Sequence, residues 1–232
     1  MRKKIAKLLF ALILTITLSI TFSVNAATSK TVNNQSELKE ALNDSSISTI
    51  ILGSDIETTE KINIMRPVTI DGANHTIKYV GTFGSSNSNT VWGGIYVLQV
   101  YKTEATIKDI KLTGGNAALL INGSTVTLEG KIDVSGNGFG GIELGKGSNI
   151  DTAPYLILGD NSEIINTTES SDRPTIWVPA DTDGAMIEID GIRFDLEKGE
   201  ELTLQEINDL ANSVENPETN DPIILQHPAA TS

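Results

Sequence analysis

Two carboxylates facing one groove, about 5 to 9.5 Å apart, can cleave a glycosidic bond. Asp109, Asp133 and Glu143 stand beside apolar residues in short runs rich in Ile and Val. If those runs repeat in space, the three carboxylates stack on one outer face. The plainer reading is preferred: acidic positions alternating outward with inward Ile and Val, as in any half-buried strand. Asp181-Thr182-Asp183-Gly184 has the form of a calcium-loop fragment, but the further oxygens and distal glutamate of a full loop are missing. A turn is expected there, with Asp181 and Asp183 kept as weak calcium candidates and no other cofactor expected. The chain has no cysteine and only two histidines, His75 and His227. Thiol catalysis, thiolate zinc sites and histidine-rich metal sites are thereby excluded. The stretch Gly136 to Gly141 is glycine-rich but no helix is expected after it, so it is not a phosphate cradle.

A binding surface is the other chemistry to look for. Aromatic rings stack on the apolar faces of sugars, and they are scarce here, so each is informative. Trp92, Trp177 and Tyr155 are the binding candidates, with Trp92 first because it sits in a long irregular insertion. Tyr96 and Tyr101 border strand-like runs. The competing reading for every one of these rings is core packing.

Charge narrows the partners. The 232 residues carry 17 Lys and Arg against 30 Asp and Glu, a net −13. The first 26 residues have a basic start (Arg2, Lys3, Lys4, Lys7), an apolar run to about Val24 and Val24-Asn25-Ala26 at its end, the pattern of a secretory signal cut after Ala26. Losing those four basic residues takes the net charge from −13 to −17. Such a surface repels nucleic acid and anionic membranes. An exported chain without disulfides must be held by packing or a regular hydrogen-bond ladder.

The elements that must position these residues follow from the apolar pattern. Residues 27–35 read as a polar arm. Leu38, Ala41 and Leu42 fall on one face of a helix over 36–42, with Asn34 or Ser36 to cap it. From Ser48 to Phe194 the apolar runs are three to five residues long and separated by Gly, Asn, Asp and Ser, which spells strands. The runs repeat at a period near 22: Ile110 matches Ile132, Asn116 matches Asn137, Leu119 matches Ile142 and Val97 matches Leu119. A coil of three short strands has about that length, and stacked coils bury a continuous apolar column. The expected fold is all-β, a right-handed parallel β-helix solenoid over 36–194 with short capping helices at both ends. Asn116 and Asn137 are expected to stack as an internal amide ladder. Thr203 to Glu206 has capping-box spacing, and the C-terminal capping helix over 195–212 carries Leu204, Ile207, Leu210 and Ala211 on one face. Residues 213–232, with three prolines, read as a flexible tail.

The run from Ser36 to Tyr79, with its helix, "RPVTIDG" turn and "NHTI" strand, resembles the opening of pectate-lyase-like adhesive domains of Gram-positive surface proteins. "VSGNGFGGIEL" at 134–144 is similar to repeats of the same group, and the resemblance extends over about residues 32 to 194. It implies a secreted or cell-surface bacterial adhesin that meets an extracellular glycan or a host or matrix component. It specifies fold better than activity, because polysaccharide lyases and hydrolases use the same architecture. The "WIDH"-like and "RxPxxR"-like segments of the lyases are absent; Arg173-Pro174 is a partial echo read as surface loop. The reading is therefore a non-catalytic adhesive or glycan-binding protein, with a polysaccharide lyase or glycoside hydrolase as one alternative and a purely structural surface component as the other. No nucleic-acid partner and no membrane insertion after cleavage are expected.

Overall fold

The computed structural model describes residues 28–82, 95–147, 149–159 and 161–215. The signal-peptide reading for 1–26 and the tail beyond Glu215 lie outside the described residues.

Strands dominate, and nearly all pair in parallel. One sheet runs Thr28–Val32, Ile47–Leu52, Val68–Asp71, Glu104–Thr113, Thr125–Asp133, Tyr155–Leu158, Met186–Ile189, Ile192–Asp195. A second runs Ile62–Ile64, Tyr96–Tyr101, Ala117–Asn122, Gly140–Gly145, Ile176–Trp177, Glu201–Leu202. The long strands of the first sheet bend, and their second halves pair with the shorter Thr76–Tyr79 and Glu163–Ile165. Each repeat therefore contributes three short stretches, each beside its counterpart in the next.

The bend has a local cause. Asp109 adopts φ +47° and Gly130 φ +63°, and the register shifts between Glu129 and Ile132. Left-handed backbone breaks the pleat there, and glycine takes that conformation without steric cost. The Lys131 amide donates to Asp109 Oδ1 at 3.1 Å, so the aspartate of one repeat holds the bend of the next. A Cβ on Gly130 would lie 2.2 Å from that oxygen.

Pairing places like with like inside. Ile50, Ile70, Ile107, Leu128, Leu158 and Ile189 form one column of partners, and Ile62, Leu98, Leu119, Ile142, Ile176 and Leu202 another. All are buried in one cluster, each contributing about 1.5 to 3 kcal/mol. The matches of Ile110 with Ile132 and of Leu119 with Ile142 hold. The match of Val97 with Leu119 is one residue out: Leu98 takes that place.

The helix Gln35–Asn43 covers one end of this core with Leu38, Ala41 and Leu42. Asn34 Oδ1 accepts from the Glu37 amide at 3.0 Å, and the Glu37 carboxylate accepts from the Asn33 amide at 2.8 Å. These bonds hold the Glu37 carboxyl below its ordinary range, the Asn33 backbone bond being the largest cause. The helix Leu204–Glu215 buries Ile207 and Leu210 near the other end. Its capping box is formed: Thr203 N donates to Glu206 Oε2 at 2.8 Å and Glu206 N to Thr203 Oγ1 at 3.2 Å.

Three expectations need correction. Residues 28–32 are a strand, not a loose arm; Val32 is fully buried and the strand completes the hydrogen bonds of Ile47–Leu52. The C-terminal helix begins at Leu204, not 195, because Ile192–Asp195 folds back antiparallel on Met186–Ile189 and Glu201–Leu202 pairs antiparallel with Ile176–Trp177. Asn116 and Asn137 form no shared ladder. Asn137 Nδ2 donates to the Leu112 and Val134 carbonyls and its Oδ1 accepts from the Gly115 amide, whereas Asn116 Oδ1 is buried without a partner. The Gly138 amide donates to the Gly115 carbonyl and that of Phe139 to the Asn116 carbonyl, so Phe139 rather than Asn137 lies opposite Asn116.

Candidate functional site

Strand alternation turns every second residue of the first sheet outward. In-register pairing makes those residues a column: Ser29, Thr49, Thr69, Thr106 and Thr127, continued by Ile157, Glu188 and Arg193. Neighbouring strands lie about 4.8 Å apart, so each hydroxyl follows the last at a fixed step. Thr69, Thr106 and Thr127 make no side-chain hydrogen bond within the protein among the described residues, and all three are half-buried. They line an open groove of about 450 Å³, floored by Val68, Ala105 and Ile157 and edged by Glu104. Such a surface offers donors, acceptors and methyl groups at one spacing, without net charge along its centre.

Tyr155 stands within the neighbouring column, paired with Thr125 and Met186. Its hydroxyl donates to Glu188, and the Arg193 guanidinium lies 5.0 Å from its ring centre. Desolvation and then the Glu188 hydrogen bond push the phenol up.

The second sheet presents a different outer column: Asn63, Gln99, Leu120, Glu143, Trp177 and Glu201. Tyr96 donates to Glu143 Oε2 at 2.6 Å. Lys61 donates to Gln99 Oε1 at 2.7 Å and its Nζ lies 5.8 Å from the Tyr96 ring centre. Burial raises the Glu143 pKa, the Tyr96 bond opposes this, and the negative charge of Asp181 adds to it. Burial also pushes the Tyr96 phenol far up, and the Glu143 carboxylate contributes. Glu143 and Asp181 line one cavity of about 390 Å³ with Leu120, Asn122, Lys146 and Thr182. A carboxyl that burial inclines to keep its proton, beside a second acidic side chain, can hold a donor-rich ligand.

The expected site residues are dispersed. Trp92 lies outside the described residues. Trp177 is 3% exposed and packs with Tyr96, Ala117 and Leu120, under Phe139 at 5.0 Å in an edge arrangement. It is therefore no open stacking platform, because the outer face of the second sheet carries its own small apolar cluster. Tyr155 is half-buried and already engaged. Asp181 lies in a turn closed by the Thr182 amide donating to the Pro179 carbonyl, and Asp183 follows just beyond it. Their carboxylates serve different neighbours, since Asp183 pairs with Lys198 at 2.7 Å. Among the described residues no group of three or more acidic or histidine side chains is placed to hold a metal ion. Asp109 and Asp133 lie at the bend and beyond it, Asp133 paired with Lys111 at 2.8 Å, and Glu143 is on the other sheet. Arg173 is an exposed turn residue.

Sequence reasoning missed the threonine column and the meeting of Glu143 with Asp181. The first had a signal: Thr49, Thr69, Thr106 and Thr127 each follow or precede a buried aliphatic residue in a strand. The second had none, because the two residues belong to separate elements.

Residues 29–139 match the sequence model of the pectate lyase-like adhesive domain family. That stretch, 111 of the 232 residues, is similar to the family's domain and includes the opening helix and first repeats. Neither a curated protein nor a solved structure matches the chain. Among the described residues no helix is long and apolar enough to cross a membrane.

Proposed function

We propose that this is a secreted, non-catalytic adhesive protein of the bacterial surface, wound as a right-handed parallel β-helix between two capping helices, and that the threonine column of its first sheet binds an extended glycan. The domain match supports the adhesive part. Parallel pairing of successive repeats across two sheets supports the winding. The observation that carries the glycan reading is the register of Thr69, Thr106 and Thr127 along one groove with their hydroxyls free of protein partners. A polysaccharide laid across the strands meets a hydroxyl at each step of about 4.8 Å, and hydroxyl-to-hydroxyl bonds at an open surface add about 1 kcal/mol each at most. Affinity then comes from repetition, which suits adhesion to a polymer better than capture of a monosaccharide.

The test is a glycan array with the secreted protein, with and without calcium, followed by titration of any hit with the Thr106→Val/Thr127→Val variant. Binding of neutral oligosaccharides that the double variant loses is the expected result. Reducing ends or unsaturated products released from the bound glycan would refute the non-catalytic reading. Binding unchanged in the double variant would refute the groove.

A further inference from the structure

The cavity between Glu143 and Asp181 is separate from the threonine groove, on the outer face of the other sheet, and the adhesive reading gives it no role. Two carboxylates line it. The charges acting on Glu143 are all unfavourable to its ionised form: burial and the negative Asp181, with only the neutral Tyr96 hydroxyl in compensation. Lys146 lines the same cavity but forms no ion pair with Glu143 or Asp181; the Asp183 carboxyl beyond them is held below its ordinary range by the Lys198 hydrogen bond first, with Lys146 a minor contributor. The carboxylate pair is thus left without a direct cationic partner among the described residues.

A second observation is independent of those charges. Thr182 lines the cavity, is 1% exposed, and its Oγ1 has no hydrogen-bond partner. A buried hydroxyl without a partner costs about 1 to 3 kcal/mol unless something supplies the bond. Asn122 lies beside it, its Oδ1 taken by the Gly147 amide. Leu120 gives one apolar wall.

We infer that this cavity binds a sugar unit bearing a free, protonated primary amine, with the ammonium group between Glu143 and Asp181 and a ring hydroxyl on Thr182. A cation is the one kind of group that relieves the repulsion between the two carboxylates while offering each a hydrogen bond. A volume of about 390 Å³ takes a single hexosamine ring, and the Asn122 amide and Thr182 hydroxyl in the lining suit a sugar over a bare alkyl amine. The inference rests on the glycan reading for the choice of carrier, and not on the threonine groove.

The experiment is calorimetric titration of the full protein in mildly acidic buffer with a glucosamine tetramer, an N-acetylglucosamine tetramer and cellotetraose. The free-amine tetramer is expected to bind at least about tenfold more tightly than the acetylated one, the scale of a single charge-assisted hydrogen bond. Glu143→Gln, which keeps an acceptor for Tyr96, and Asp181→Asn should each abolish that preference, while Glu129→Gln at an exposed site of the first sheet should leave it intact. Equal affinity for the two amino-sugar tetramers would overturn the inference. So would a preference that survives both cavity variants, or one that Glu129→Gln reduces as much, since that is attraction to an acidic surface as a whole. Tighter binding of a single lysine amide than of glucosamine would overturn the assignment to a sugar. Cellotetraose binding that depends on Thr106 and Thr127 but not on Glu143 reports on the groove alone, so either reading can fail while the other stands.

Discussion

Replacing Asn137 by Ala should be among the costliest single changes in the chain, while the same change at Asn116 should cost almost nothing. Asn137 is 4% exposed. Its Nδ2 donates to the Leu112 carbonyl at 3.0 Å and the Val134 carbonyl at 2.8 Å, and its Oδ1 accepts from the Gly115 amide at 2.9 Å. It thus ties one repeat to the one before it. Three hydrogen bonds at a net of about 1 kcal/mol each, with the buried Gly115 amide left unpaired, give a loss of about 3 to 5 kcal/mol. For a domain of this size that lowers the melting temperature by about 10 °C. Asn116 offers the contrast: its Oδ1 is already orphaned, and its backbone bonds to Ile95 and Phe139 survive truncation. Asn116→Ala should stay within about 0.5 kcal/mol of the parent, or stabilise it, because a buried unpaired oxygen is removed. Urea unfolding followed by circular dichroism reads both as shifts of the midpoint at unchanged slope. Equal losses in the two variants would restore the symmetric amide ladder and refute the argument.

Gly130→Ala should destabilise by about 1 to 3 kcal/mol, since φ is +63° and the new Cβ meets Asp109 Oδ1 at 2.2 Å; a thermal melt unchanged from the parent would show that the bend does not depend on glycine. Trp177→Phe should cost under about 1.5 kcal/mol, because the indole Nε1 is buried without a partner and the ring itself supplies the contact with Phe139; a large loss in denaturant titration would mean that the nitrogen has an unrecognised partner. Glu143 gives a pH signature. Its folded pKa is raised above the ordinary 4.5, so between that value and the raised one the folded form binds more protons than the unfolded form. Stability therefore falls as pH rises through that window. The difference in unfolding free energy between Glu143→Gln and the parent should shift in favour of the variant over the same window. A difference independent of pH would show that Glu143 ionises in the folded protein as it does in the unfolded chain.

Much of the fold is legible because one rule repeats. Inward Ile, Leu and Val at every second position, separated by Gly, Asn and Asp, give strands. A repeat spacing near 22 brings Ile110 to Ile132 and Lys111 to Asp133 without further information. Both helices are legible from their caps, Asn34 before Glu37 and Thr203 before Glu206. The errors fall where pairing overrides local character. Thr28 to Val32 is polar enough to read as loop, yet the open edge of Ile47–Leu52 recruits it as a strand and Val32 closes the core. The fold-back at Met186 to Asp195 had a readable signal, Asp190-Gly191 between two apolar runs, and both residues have positive φ as a two-residue hairpin turn requires. A search for one parallel period passes over it, since an antiparallel return breaks the period by design of the turn.

The outer faces are harder for a reason that lies in the geometry of stacking. Alternation says which residues point out, and it does so reliably for Thr49, Thr69, Thr106 and Thr127. It does not say which outward residues become neighbours, because that depends on the length of chain between successive strands. Thr106 and Thr127 are separated by one regular repeat, but Thr69 and Thr106 meet across the segment holding the insertion, and Glu143 meets Trp177 across the long loop from Lys146. An insertion changes the sequence distance without changing the spatial partner, so the columns that carry chemistry are the ones whose spacing varies most. The acidic triplet Asp109, Asp133 and Glu143 fails on this point: offsets of 24 and 10 residues do not follow the repeat, and the three lie on the bend, on the branch beyond it and on the opposite sheet. Asp181 reaches Glu143 by the opposite route, with no shared offset, because the turn after Trp177 returns along the same outer face. In a chain built this way the core can be read from the period, and the surface only from the register.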